Sequence, residues 1–245
     1  MRTNLFFVFI GVIFVCSCST KSGNDSNSQP EPKDDGIRIV YKPYKNTKDL
    51  IEYEIPVVEG TSIKHGIQKR FYRNGSLYST IPHVAGNREG IAYTYYMAAE
   101  GVTPMVWKEQ PYKNNKLHGI CKRYHEDGML QAVYEYREGL PGVGLKEYSK
   151  SGKEIVQPTL IVSSKRVHNG YYITAKLSKQ MGNTDYYIGN LTEGKYLPNG
   201  LKGLQTRNGA GEIVVSANTQ KVTITAVYST RYRNSGLVSK TIRLP

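Results

Sequence analysis

The stretch His65–Gly90, HGIQKRFYRNGSLYSTIPHVAGNREG, decides the fold because its spacing of glycines and aromatic residues recurs along the chain. A second marker moves with it, since Pro82 lies eight residues before Gly90 and Pro111 lies eight residues before Gly119. The residues that define the repeat are Gly66, Phe71, Gly75, Gly90, Tyr95, Gly119, Tyr124, Gly128, Tyr148 and Gly152. A period of about 20–50 residues is typical of repeated supersecondary units, so residues 37–155 are predicted to form a repeat region.

Each copy of the repeat has the pattern of a strand, a turn and a second strand. Asn74-Gly75 and Asp127-Gly128 stand between runs of alternating residues, and such dipeptides predict hairpins with type I′ turns. The apolar periodicity of a helix is missing after the first 20 residues. We therefore predict an all-β protein in which the repeat region is a single-layer antiparallel meander.

Stacking of the copies places aromatic residues beside one another in the predicted sheet. Tyr72, Tyr96 and His125 follow the repeat aromatics directly and therefore lie on the opposite face. Cross-strand aromatic pairs stabilise a sheet by ~0.2–1 kcal/mol each, which is one interpretation of these residues. An exposed tyrosine stripe also suits a glycan or a protein partner. Both interpretations stay open for these three residues, which we take as candidate binding residues.

The strings HGIQKRFYRNGSL and HGICKRYHEDGML resemble the bacterial variant of the MORN repeat, whose members are often described as antitoxin-like. The resemblance covers about residues 50–155. It implies a single-layer repeat sheet that serves as a binding platform and has no chemistry of its own.

The last part of the chain, residues 156–245, has short alternating runs separated by turn clusters, which predict a small β-sandwich. It resembles an immunoglobulin-like domain of bacterial surface proteins. This part carries 12 basic and 3 acidic residues. Arg231 and Arg233 are its candidate contacts for a phosphate or an acidic glycan, and a solvated rim is the alternative.

The first residues predict export. Leu5–Val15 is an apolar run of the length of a signal peptide core, and Val15-Cys16-Ser17-Cys18 resembles the lipobox of bacterial lipoproteins. The resemblance implies a signal peptide at residues 1–17 and a lipidated Cys18, with acyl chains such as palmitate. Residues 18–36 are predicted to be a disordered tether. The expected location is the bacterial cell envelope, with the outer membrane or cell surface favoured over the inner membrane.

The sequence has no catalytic motif, and we predict neither catalytic residues, nor a metal, nor a cofactor. The first hypothesis is a lipid-anchored envelope binding or scaffold protein without catalytic activity, which contacts the membrane through its anchor and binds a protein or a glycan. The second is an antitoxin- or immunity-like inhibitor of an envelope toxin. The third is a glycan-active enzyme whose carboxylates meet only on folding. A nucleic acid partner is not expected for an exported protein.

Overall fold

The structure is a computed structural model, and it describes residues 36–245. The predicted signal peptide, Cys18 and the tether up to residue 35 lie outside the described residues. Strands and turns account for the regular structure of residues 36–245, so the predicted all-β class is confirmed. Within this part of the chain, no helix is long and apolar enough to cross a membrane.

The first sheet is the predicted meander, in the strand order β1-β2-β3-β4-β6-β7-β9-β10-β12-β13, with three two-residue strands added at its hairpin ends. Its strands are β1 Ile37–Pro43, β2 Ile51–Val58, β3 Gly66–Phe71, β4 Leu77–Val84, β5 Asn87–Arg88, β6 Gly90–Tyr95, β7 Val106–Lys113, β8 Lys116–Leu117, β9 Gly119–Tyr124, β10 Leu130–Arg137, β11 Leu140–Pro141, β12 Lys146–Tyr148 and β13 Glu154–Ile155.

Strand pairing is dense within each repeat hairpin and sparse between hairpins. The hairpins β3–β4, β6–β7 and β9–β10 each contain six residue pairs. The junctions β2–β3, β4–β6, β7–β9 and β10–β12 each contain two residue pairs. The main-chain ladder between neighbouring repeats is therefore shorter than the ladder within a hairpin.

The predicted type I′ turns are wrong. Such a turn needs positive φ at both central residues, and at Asn74-Gly75 and Asp127-Gly128 only the glycines have it, at +79° and +82°. The Asn74 and Asp127 side chains each accept a hydrogen bond from the backbone N–H two residues on, at 3.2 and 2.9 Å. This local bond favours a turn in which the glycine alone is left-handed. Paired positive φ values occur at the other hairpin ends, at Ala85-Gly86, Asn114-Asn115 and Glu138-Gly139.

The repeat glycines and prolines touch, which explains their common spacing in the sequence. Gly90 and Gly119 have φ values of +102° and +112°, which side-chain-bearing residues rarely adopt. A Cβ atom on Gly90 would lie 3.2 Å from Cγ of Pro82, and one on Gly119 would lie 3.3 Å from Cγ of Pro111. Each proline thus packs against the point where the chain enters the next repeat.

The predicted sandwich follows the meander and consists of two four-stranded sheets with the strand orders β14-β15-β19-β18 and β17-β16-β20-β21. Its strands are β14 Leu160–Val167, β15 Gly170–Leu177, β16 Thr184–Ile188, β17 Lys202–Gly203, β18 Gln205–Arg207, β19 Ala210–Ser216, β20 Lys221–Ser229 and β21 Ser235–Arg243. Alternating side chains of both sheets meet in one apolar core around Ile173, Ile224 and Tyr186. The fold class, a single-layer meander followed by a small sandwich, is confirmed.

We expect Gly119→Ala to lower the free energy of unfolding by ~1–3 kcal/mol, because it strains the backbone and crowds Pro111. Gly203→Ala is the matched control, since no atom lies within 4 Å of its added Cβ, and we expect a change below ~0.5 kcal/mol. Urea unfolding measures both values. Equal stability of the two variants would contradict the strained geometry at Gly119.

Candidate functional site

Four side chains join successive repeats by hydrogen bonds to the main chain. We call Tyr44, Tyr72, Tyr96 and His125 the clamp residues. Their acceptors are the carbonyl oxygens of Phe71 at 2.6 Å, Tyr95 at 2.8 Å, Tyr124 at 2.8 Å and Tyr148 at 3.0 Å, respectively. Each acceptor is a repeat-defining aromatic residue of the next copy. The clamps therefore reinforce the junctions where the ladder has two residue pairs.

A bulge in each repeat supplies the surface against which the clamp packs. The register shifts between Arg70 and Phe71, between Thr94 and Tyr95, and in the third hairpin between Leu130 and Ala132. The extra residues are Tyr78, Trp107 and Gln131. Tyr72 meets Tyr78 edge-on with ring centroids 5.0 Å apart, and Tyr96 lies 5.8 Å from Trp107. Gln131 contacts His125 through its amide nitrogen, 3.3 Å from Nδ1.

These contacts give three of the candidate binding residues a structural role. Burial raises the pKa of the Tyr72 and Tyr96 hydroxyls, and both donate to the main chain. His125 is 3% exposed. Binding of an outside partner by Tyr72, Tyr96 and His125 stays a prediction, with their polar atoms already engaged inside the sheet.

The repeat-defining aromatics place their backbone at the clamps and their rings on the other face. Tyr124 donates to Oε1 of Glu109 at 2.8 Å, and burial together with this bond raises its pKa to about 12. Tyr93 and Tyr95 stack with ring centroids 6.4 Å apart. The remaining defining residues, Gly75, Gly128 and Gly152, occupy the turns with positive φ.

The third hairpin, β9–β10, departs from the pattern where the sandwich contacts it. Glu135 pairs with Ile120 at the register position that Pro82 and Pro111 hold in earlier repeats. Likewise, His125 replaces a clamp tyrosine and Gln131 replaces a bulge aromatic. These polar or smaller side chains leave space for the sandwich and offer it hydrogen-bonding groups.

Glu135 is one anchor of the sandwich. It accepts hydrogen bonds from Lys195 Nζ and the Tyr196 hydroxyl, and these two bonds lower its pKa. Beside it, the Val143 N–H donates to the Lys195 carbonyl at 3.0 Å, and the Leu197 N–H donates to the Pro141 carbonyl at 2.9 Å. A short main-chain ladder thus continues the repeat sheet into the sandwich connection.

Glu147 is the second anchor and is 2% exposed. Its Oε1 accepts from Thr230 Oγ1 and Asn234 Nδ2, both at 2.6 Å, and its Oε2 accepts from Gln157 Nε2 at 3.2 Å. Burial, and to a smaller extent the nearby Glu147 carboxylate, raises the pKa of the Tyr228 hydroxyl to about 12. A buried charge with these partners fixes the Thr230–Asn234 turn on the last repeat.

The turn that carries the predicted arginine site is therefore part of this interface. Arg123 of the repeat sheet donates to Asn234 Oδ1 and to the Arg233 carbonyl. His125 meets Tyr232 edge-on with ring centroids 5.3 Å apart. The Arg231 and Arg233 side chains are exposed on this turn, and their binding of an anion stays a prediction.

The face of the meander opposite to the clamp residues carries an unbroken apolar row. Three cross-strand pairs, Ile39 with Pro56, Ile67 with Pro82 and Ile91 with Pro111, are followed by Ile120. The four isoleucines are 44%, 57%, 47% and 58% exposed, in that order. We call these residues the isoleucine–proline row. Strand spacing makes it roughly 30 Å long.

Ion pairs flank the isoleucine–proline row. Lys69 lies 3.1 Å from Glu54, and Lys122 lies 3.2 Å from Glu109, at the next positions of the same face. These exposed pairs neutralise the charge beside the row. The face is thus an apolar band with a polar border, which is the composition of many protein interfaces.

Side chains that could hold a metal ion are not clustered in residues 36–245. No group of three or more His, Cys, Asp and Glu residues in this range is placed to hold a metal ion. Cys121 is fully buried, and burial raises its pKa to about 12, so it has little thiolate character. Cys121 is a small packing residue on the face of the sheet that carries the clamp residues.

The sequence signals for these residues were uneven. The position of Glu135 at the proline register could have been read from an alignment of the repeats. No sequence signal marked Glu147, whose partners come from a turn more than 80 residues away.

Comparison with known proteins supports the repeats. The profile of the MORN repeat variant family matches residues 64–85 and 117–138. These two segments contain the hairpins β3–β4 and β9–β10. Neither the curated proteins nor the solved structures gave a match. The chain thus contains MORN-variant repeats within an all-β meander.

We expect Tyr96→Phe to lower the free energy of unfolding by ~0.5–1.5 kcal/mol, because it removes the clamp bond to the Tyr124 carbonyl. Tyr41→Phe is the matched control, since Tyr41 is 57% exposed and its hydroxyl has no hydrogen bond within residues 36–245. Urea unfolding compares the two variants. A loss of stability as large in Tyr41→Phe as in Tyr96→Phe would contradict the clamp.

Proposed function

We propose that this chain is a lipid-anchored binding protein of the bacterial cell envelope, without catalytic activity, whose repeat sheet binds a protein partner. The observation that carries the proposal is the isoleucine–proline row. Four exposed isoleucines in line are unusual on a soluble surface, and contiguous exposed apolar area marks interaction sites. The row itself consists of branched aliphatic and proline side chains, and an apolar band with a polar border is the composition of many protein interfaces.

The sheet is well suited to present such a row. Its hairpins, bulges and clamps fix the relative positions of the isoleucines before any partner arrives. Binding to a rigid surface loses less conformational freedom than binding to a flexible one. The sandwich, anchored through Glu135 and Glu147, closes one end of the sheet and leaves the row open.

The order of strands in the sandwich supports an immunoglobulin-like module. In immunoglobulin lettering, β14 to β21 are strands A, B, C, C′, D, E, F and G. The two sheets then have the orders A-B-E-D and C′-C-F-G, which is the order of immunoglobulin domains. Such modules serve as spacers and binding units in surface proteins, which agrees with an envelope location.

The direct test is photo-crosslinking in living cells with a benzophenone amino acid at single positions. We expect Ile91 and Ile120 on the row to give a discrete crosslinked adduct, and Val214, equally exposed on the sandwich at 56%, to give none. Mass spectrometry of the adduct identifies the partner. A toxin as the partner would favour the antitoxin- or immunity-like alternative that the repeat resemblance suggests. Absence of adducts from the row, or equal adducts from Val214, would overturn the proposal.

The anchor has its own test. We expect Cys18→Ser to abolish labelling by a fatty-acid probe and to release the protein from membranes, because Cys18 carries the acyl chains. Cys121→Ser is the control, and we expect full labelling because its thiol is buried. Unchanged labelling of Cys18→Ser would contradict lipidation at this position.

A further inference from the structure

The face opposite to the isoleucine–proline row carries a cleft of about 550 Å³ between the first two repeats. Lys64, His83 and Arg88 line it, together with the amides of Gln68 and Asn115. No carboxylate belongs to its lining within residues 36–245. We call it the basic cleft.

The Lys64 and Arg88 side chains of the cleft are held in place by neutral groups. Lys64 Nζ donates to Gln68 Oε1 at 2.7 Å. Arg88 donates through Nη2 to the Asn115 carbonyl at 3.1 Å, and its guanidinium stacks on Tyr112 at 4.5 Å. Neither cation has an ion-pair partner among residues 36–245. Their positions are therefore fixed while their charge is left uncompensated by the protein.

His83 adds an imidazole ring to the lining of the cleft. It is 6% exposed, and its Nδ1 lies 3.0 Å from the Ile81 carbonyl oxygen. Because a carbonyl oxygen only accepts, Nδ1 carries the proton. Nε2 is then the free ring nitrogen, with no hydrogen-bond partner among residues 36–245.

The electrostatics of the cleft follow from this arrangement. Burial lowers the pKa of His83, and the charges of Lys64 and Arg88 lower it further. Burial and the charges of Lys42 and Arg88 likewise lower the pKa of Lys64. The cations thus destabilise one another, and a bound anion would relieve that repulsion.

We propose that the basic cleft binds an oxyanion, a carboxylate or a phosphate group, carried by a component of the cell envelope other than the partner of the isoleucine–proline row, because the cleft lies on the opposite face of the sheet. The proposal rests on the proposed function for the envelope location of the chain and on the cleft for the chemistry. The anion accepts hydrogen bonds from Lys64 and Arg88, and from His83 Nε2 once this nitrogen is protonated. Hydrogen bonds between ionised groups are about twice as strong as neutral ones, and Arg88 provides a fork for two oxygens.

Isothermal titration calorimetry on the full chain in neutral detergent tests the site with three probes. Inorganic phosphate and glucuronate are the two oxyanions, and glucose is the neutral probe. We expect at least one of the oxyanions to bind saturably and glucose to give no heat. Binding of phosphate alone or of glucuronate alone assigns the kind of oxyanion. No saturable binding of either oxyanion would overturn the proposal.

Charge-matched variants locate the binding. We expect Lys64→Gln and Arg88→Gln to weaken oxyanion binding roughly ten- to hundred-fold, because each removes one charge-assisted hydrogen bond. Lys202→Gln and Arg207→Gln remove the same charges at exposed positions of the sandwich, and we expect affinity within roughly two-fold of the unmodified chain. Equal weakening in both sets of variants would mean unspecific attraction and overturn the site.

The unmodified chain gives a second measurement that does not depend on the folding of any variant. Glucuronate keeps its charge between about pH 5.5 and about pH 8, and sulfate, which does the same, replaces phosphate in this measurement because phosphate itself titrates in that range. A bound anion raises the pKa of His83, so protons are taken up on binding and affinity rises as pH falls. We expect several-fold tighter binding at the lower pH. Affinity that does not change with pH would contradict the role of His83.

Failure of this proposal and failure of the proposed function have different signatures. If the chain forms crosslinks from the row but binds no oxyanion, only the proposal for the basic cleft is wrong. If it binds oxyanions but forms no crosslink from the row, the proposed function is wrong and the basic cleft stands.

Discussion

The hydrogen bond from a clamp residue to a main-chain carbonyl of the next repeat is the interaction on which the rest of this sheet depends. A single-layer sheet has no second layer to pack against, and its repeats share only two residue pairs at each junction. Tyr72 and Tyr96 cross these junctions with bonds of 2.8 Å. Their rings also pack on the bulge residues, so each clamp adds buried apolar area to the hydrogen bond. The result is a sheet that keeps its shape without a second layer over the isoleucine–proline row.

The repeat sheet ends where its last strands contact the sandwich instead of another repeat. Terminal repeats need groups that satisfy a different neighbour. Here Glu135 occupies a proline position and receives Lys195 and Tyr196, while His125 serves as a clamp and also meets Tyr232. Glu147 then holds the Thr230–Asn234 turn. The contacts place the described residues in one compact unit.

The architecture could be predicted from the sequence because each copy of the repeat has the same independent signals. Spacing of glycines and prolines, alternation and turn residues all indicated a meander, and the structure has one in residues 37–155. The turn type was predicted wrongly at Asn74, because a dipeptide does not report the side-chain bond that selects the turn. The partners of Glu147 could not be predicted, since they come together only when the sandwich docks.

The net charge of residues 51–155 did not indicate the basic cleft. Residues 51–155 carry 14 basic and 12 acidic residues, which suggests a neutral sheet. Folding separates these charges, because alternation places Glu54 and Glu109 beside lysines on the face of the isoleucine–proline row. Lys64 and Arg88 lie on the other face without such partners. Net charge therefore describes a whole segment, whereas binding depends on one face of it.

Native-state hydrogen exchange tests the central claim most directly, because it reports the stability of each junction separately. If the clamps join the repeats, the amides of the two-pair junctions β4–β6 and β7–β9 exchange with the same free energy as the amides inside the hairpins β3–β4 and β9–β10. If the junction amides exchange through local openings of much lower free energy, while the hairpin amides stay protected, the clamps do not hold the sheet together and the account is wrong.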